Sequence, residues 1–247
     1  MKSSPLLLSA ALLTILPAAG ASVTENIKQT YPLDANGTLH LDNVNGDIDI
    51  VAWDKTEVSL EAEKKGKTDD DLKKVTLQID SSPAKLSIKT KYAKNGWFGN
   101  INASVRYKLM VPAGVRLDKI DSVNSNIKVA GVRGSVNLDT VNGSITATGL
   151  TSDARLDSVN GSLNAEFASL DGVHNVKLDS VNGRASVALP KGASVRIDAD
   201  SVNGRVNIDQ QIKLAKVRRH SLAGEIGSGG PDISLETVNG SISVREK

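Results

Sequence analysis

The chain has no cysteine in its 247 residues. Disulfides, thiolate metal ligands and a thiol nucleophile are therefore excluded. Aromatics are almost as scarce, at 3%, with two Trp, two Phe and three Tyr. Small and β-branched side chains must fill the interior, which suits a narrow, repetitive core. The charge is nearly balanced, at +2, so nothing points to a nucleic-acid partner. The three His residues, His40, His174 and His220, are scattered, and no zinc-ligand spacing, nucleophile elbow or phosphate loop accompanies them. Long apolar runs are missing after the N-terminus. The stretch Leu6 to Leu16 is too short for a membrane span, follows Lys2, and leads to Ala19-Gly20-Ala21. Residues 1–21 thus read as a secretory signal, and the mature protein is expected in the periplasm or secreted, with no membrane span.

What the sequence does have is one phrase, repeated. Thr140-Val141-Asn142-Gly143-Ser144-Ile145 recurs around Asn45-Gly46, Asn160-Gly161, Asn182-Gly183, Asn203-Gly204 and Asn239-Gly240, with a degenerate copy at Asn124-Ser125. Asn-Gly tolerates positive φ and so marks a bend. Apolar residues alternate on both sides: Val136 and Leu138 before the bend, Ile145 and Ala147 after it. Period two with one apolar face means half-buried strands. Val141 lies three residues after Leu138, so a corner or bulge is expected between them to turn both inward.

A unit of two short strands cannot bury its own apolar face and must stack on its neighbours. Identical residues at identical points of each unit favour parallel coils over a meander. The expected fold is all-β: a parallel β-solenoid of short two-strand coils over residues 112–247, behind an N-terminal strand and cap region over residues 22–111. The long gap from Asn203 to Asn239 reads as two coil lengths, disturbed by the basic run Lys213, Lys216, Arg218, Arg219 and the Gly-rich loop Gly224 to Gly230. The stretch 52–111 breaks the rhythm and holds most of the aromatics, so it is expected to form an antiparallel cap over an open sheet edge.

Three constellations are candidates for chemistry. Asn124, Asn142, Asn160, Asn182, Asn203 and Asn239 would form a side-chain amide ladder along the turns. An acidic residue stands three before each Asn: Asp42, Asp121, Asp139, Asp157, Asp179, Asp200 and Glu236. Stacked carboxylates repel by about 1 kcal/mol in water and more where dielectric falls. Backbone N–H groups at each corner are the expected relief, with Lys119, Arg155 and Lys177 beside the column. The alternative is Ca2+ between coils, with Asp139, Asp157 and Asp179 as candidate ligands, although calcium needs more oxygens than one carboxylate and one hydroxyl per coil supply. Trp97 and Phe98, between Gly96 and Gly99, are candidate partner-binding residues at a loop tip.

These phrases, with Val111-Pro112-Ala113-Gly114 ahead of the first regular coil, give the chain a resemblance to the bacterial family named "putative adhesin", secreted β-strand-repeat proteins catalogued as a domain of unknown function. The resemblance covers roughly residues 38–246. It implies a β-solenoid outside the cytoplasm and brings no catalytic residues or cofactor. The expected function is a non-catalytic, adhesin-like protein that binds an envelope protein or polysaccharide. A self-stacking envelope scaffold and a carbohydrate-active enzyme using the acidic face are the alternatives.

Overall fold

The computed structural model describes residues 22–93, 102–209, 212–217 and 221–247, with the backbone alone for 212–217. A lead-in strand β1 (Val23–Pro32) precedes the first copy of the repeat, β2 (Thr38–Asp42) and β3 (Ile48–Trp53). The irregular stretch contains β4 (Glu57–Gly66), one helical turn α1 (Asp69–Lys73), β5 (Val75–Ser81), β6 (Lys85–Tyr92) and β7 (Ala103–Pro112). The regular copies follow as β8 (Arg116–Asn124), β9 (Ile127–Ala130), β10 (Val136–Asn142), β11 (Ile145–Asn160), β12 (Leu163–Asn182), β13 (Ala185–Leu189), β14 (Val195–Ser201) and β15 (Val206–Ile208). An excursion through β16 (Ile212–Val217) and β17 (Ser221–Ile226) leads to a last copy, β18 (Asp232–Asn239) and β19 (Ile242–Glu246). Among the described residues the fold is all-β apart from α1, and the strands join in one sheet of mixed orientation.

Copies of the repeat lie on one another in parallel. Strands before the turn run in the spatial order β6, β2, β8, β10, the end of β11, the end of β12, β18, β14. Strands after the turn run β7, β3, β9, the start of β11, the start of β12, β13, β19, β15. Like residues meet like: Leu138 faces Leu156, Asp139 faces Asp157, and Asn142 faces Asn160. Among the described strands, antiparallel pairing is confined to the two ends, as β1–β4–β7 and β5–β6 at one and β14–β17–β16 at the other. The N-terminal strands therefore meet the stack through parallel β6 and β7, not through an antiparallel edge. The first copy of the repeat, β2 and β3, lies between that layer and β8 and β9. Inside, one continuous aliphatic cluster runs from Leu33 to Val244. Tyr107 is its largest buried side chain, its hydroxyl 2.7 Å from Thr90 Oγ1.

Coil order departs from sequence order. The last copy, β18 and β19, is inserted between the copies at 176–189 and 195–208. The Asn203–Asn239 gap is thus an excursion and return, not a doubled coil. The slack comes from the turn Pro190–Ser194, where the chain must rise by about two coil spacings, roughly 10 Å, before β14 begins.

Two local expectations are corrected. Val141 does not turn inward: it is 37% exposed, while Thr140 is fully buried. Alternation simply continues, because the inward hydroxyl has work that Val could not do. Thr140 Oγ1 donates to the Ser125 carbonyl at 3.1 Å, Ser158 Oγ to Gly143 at 3.0 Å, and Ser180 Oγ to Gly161 at 3.0 Å. Each hydroxyl satisfies a turn carbonyl of the adjacent coil, and leaving such a group unpaired costs up to about 1–3 kcal/mol where it is shut off from water. The second correction concerns the turn glycine. Among the described repeat copies only Gly46 and Gly143 have positive φ, and no Asn does. Glycine is required for closeness instead. A Cβ on Gly161 would collide with the Gly143 carbonyl, and one on Gly183 with the Gly161 carbonyl. Asp118, which interrupts the first regular coil, is the extra residue of a β-bulge: Leu117 faces Leu39 and Lys119 faces His40. The bulge sends Asp118 outward, where its carboxylate lies 2.8 Å from His40 Nε2.

Gly161→Ala should therefore destabilise the protein by about 3 kcal/mol or more, since backbone lies on the other side of the clash. Gly192→Ala, at positive φ with open space around it, should cost only about 1–2 kcal/mol. Urea unfolding of the two variants measures the difference, and equal losses would overturn the close-approach account.

Candidate ligand groove

On the strands that precede the turn, three positions face outward: the residue two before the acid, the acid itself, and the Val two after it. Stacking converts each into a column. The acids follow the order Asp42, Asp121, Asp139, Asp157, Asp179, Glu236, Asp200. Beside them runs a stripe of exposed Val: Val123, Val141, Val159, Val181, Val238 and Val202, between 37% and 61% exposed. The two columns lie about 7 Å apart across each strand, and neighbouring coils are about 4.8 Å apart along them. Sequence reading missed the Val stripe by assigning those residues to the core. The unbroken alternation through Leu138, Thr140 and Asn142 was the signal that could have found it.

Together the columns line a groove of about 880 Å3, whose walls carry Asp139, Asp157, Asp179, Glu236 and Asp200 on one side and Val159, Val181, Val238 and Val202 on the other. The strand segments at Ser158 and Ser180, whose hydroxyls point inward, form part of its floor. Contiguous apolar surface beside organised charge is uncommon on a protein that binds nothing.

The carboxylates are relieved mainly by neighbouring side chains, a correction to the expected capping by backbone N–H groups. Lys119 Nζ lies 3.0 Å from Asp121, Arg155 Nε 2.8 Å from Asp157, and Lys177 Nζ 3.1 Å from Asp179. Arg155 also reaches Asp179 at 3.7 Å, and Lys89 lies 3.2 Å from Asp42. Each cation on β8, β11 and β12 stands two residues before its acid, on the same strand and face. Relief is incomplete at the centre. Burial, followed by the charge of Asp121, raises the Asp139 carboxyl above its ordinary value. Asp157 is pushed up to about 6 by burial and by Asp179 and Asp139, against the opposing pull of Arg155. One oxygen of Asp179 is buried without a hydrogen-bond partner, and a protonated Asp157 would supply one. Among the described residues no three His, Cys, Asp or Glu side chains converge as a metal site. Asp139, Asp157 and Asp179 stand in file, each contributing to one wall.

The Asn residues occupy the neighbouring corner. Asn124 donates through Nδ2 to Asn45 Oδ1 at 2.7 Å, Asn142 to Asn124 and Asn160 to Asn142 at 2.8 Å each, and Asn182 to Asn160 at 2.9 Å. Asn239 donates to Asn182 at 2.8 Å and Asn203 to Asn239 at 2.9 Å. The ladder thus begins at Asn45, outside the six-residue set, and places Asn239 before Asn203. Trp97 and Phe98 lie outside the described residues, as does the signal-like segment 1–21.

Residues 117–245, just over half of the chain, match the family described as Toastrack DUF4097. The chain belongs to that family. No curated protein matches it. Among solved structures, a Clostridium sporogenes protein described as a "putative cell adhesion protein" is 14% identical, with 90% of this chain and 100% of that one covered and a TM-score of 0.51. A Bacteroides fragilis protein described as a "putative adhesin" is 12% identical over 90% of this chain and 97% of that one, with a TM-score of 0.41. At such identities the first likeness shows the fold alone. Among the described residues no helix is long and apolar enough to cross a membrane.

Because the Asp157 carboxyl is raised in the folded state, it contributes stability below about pH 4, and that contribution is lost as pH rises through about 6. Asp157→Asn should consequently stabilise the protein at neutral pH by about 1 kcal/mol, after discounting for solvent screening. The variant should also flatten the stability profile between those pH values, as measured by urea unfolding at successive pH. A less stable variant at neutral pH would mean that the Arg155 pair outweighs burial.

Proposed function

We propose that this Toastrack protein is a non-catalytic, extracytoplasmic binding protein, built as a short parallel β-solenoid, that holds an elongated ligand along the stack axis. One observation carries the reading: the exposed Val stripe and the carboxylate file run side by side for several coils and line a single groove. A surface that repeats every coil favours a ligand that makes the same contact several times. The adhesin descriptions of its structural neighbours and the signal-like N-terminus agree with a place outside the cytoplasm. An enzyme is disfavoured on geometry. Glycosidase carboxylates flank the scissile bond from two sides, whereas these acids share one wall. Trp97 and Phe98 are proposed as a second contact with the same partner.

Binding of residues 22–247 to a panel of envelope polysaccharides and envelope proteins tests this. Val159→Lys with Val181→Lys replaces exposed side chains, so folding should survive while affinity for the ligand falls tenfold or more. Undiminished binding by that double variant, or cleavage of a bound polymer, would refute the groove reading. Trp97→Ala with Phe98→Ala should weaken the same interaction.

A further inference from the structure

The two walls of the groove narrow its occupant, on the reading that the groove is a binding site. We infer that it receives one side of a basic amphipathic α-helix of about three to four turns, carried by a partner polypeptide.

The charge follows from the wall. Five carboxylates line the groove, and the cations paired with them among the described side chains are Arg155 and Lys177. A ligand bringing positive charge relieves repulsion already present in the free protein, whereas an anionic ligand adds to it. The Val stripe requires an apolar row directly beside the basic one.

The secondary structure follows from the spacing. An extended peptide turns successive side chains to opposite faces and offers the surface a single row. A helix offers two parallel rows, each repeating about every 5.4 Å, against a coil spacing of about 4.8 Å. The mismatch is about 0.6 Å per turn and grows to about 2.4 Å over four turns, within reach of flexible Lys and Arg side chains. A longer helix would lose register, so the match itself limits the length. Apolar anchors at i, i+3, i+4 and i+7 are the usual means by which a helix seats in a groove.

The probe is a labelled peptide of about fourteen residues, with Leu along one helical row and Lys along the next, titrated into residues 22–247 at neutral pH. Three controls share its length: an alternating Lys-Leu peptide, a scrambled one, and one with Glu replacing Lys. The helical peptide should bind at least tenfold more tightly than each control. Its affinity should fall with salt and drop tenfold or more in Val159→Lys/Val181→Lys and in Glu236→Lys, with circular dichroism showing each variant folded. Equal binding of the alternating or scrambled peptide would overturn the inference, as would indifference to both groove variants. Were a neutral polysaccharide held in a Val159/Val181-dependent way while the helical peptide was ignored, the helix would be rejected and the groove reading would stand. Were no ligand sensitive to those variants, both would fail. A dimer in sedimentation that disappears in Val159→Lys/Val181→Lys would make a second copy the occupant and also overturn the proposal.

Discussion

Each Asn-Gly turn of this protein rests on a backbone carbonyl of the adjacent coil, with no space between them for a β-carbon. Gly161 lies against Gly143, Gly183 against Gly161, and Gly240 against Gly183. Hydroxyls from Ser158, Ser180 and Thr237 then close on those same carbonyls at 3.0 Å. The contact has one register. Sliding a strand by one residue would place a side chain in the clash and leave a buried carbonyl unsatisfied. Everything periodic on the outside inherits that register: the amide ladder, the carboxylate file and the Val stripe are three readouts of one packing constraint.

The sequence made the unit legible but not the order of units. Asn142, Asn160 and Asn182 announce their column because every link of a ladder needs the same amide at the same height. The position of the 232–246 copy was hidden because its letters fit equally well against either neighbour. Only the connection lengths, the turn at Pro190–Ser194 and the excursion before β18, permit the insertion, and lengths constrain topology weakly. Val141 faces outward for a different reason: its hydrophobicity favours burial, but the inward position beside a turn carbonyl selects a hydrogen-bond donor, and Thr140 takes it. The acid column was readable as a column; its environment was not, because burial of Asp157 depends on the walls of a groove that no single coil possesses.

The same register that stabilises the coils also forces like charges together. A helix or hairpin can shift one acid away from another, but a stacked coil cannot, since the strand that carries Asp157 is held by the turn at Gly161 and by the Asn160 ladder link. Same-strand cations at Lys119, Arg155 and Lys177 offset part of the repulsion. They are absent from the next two coils, where Ser234 and Asp198 stand two residues before Glu236 and Asp200. A scaffold with no use for the file would gain stability by exchanging these acids for Thr or Asn, both of which fit an exposed strand position. On the proposed reading, charge held on a rigid lattice and flanked by apolar surface is preorganised for a cationic and apolar partner: the arrangement is held by the backbone before any ligand arrives, so little ordering cost remains for binding itself.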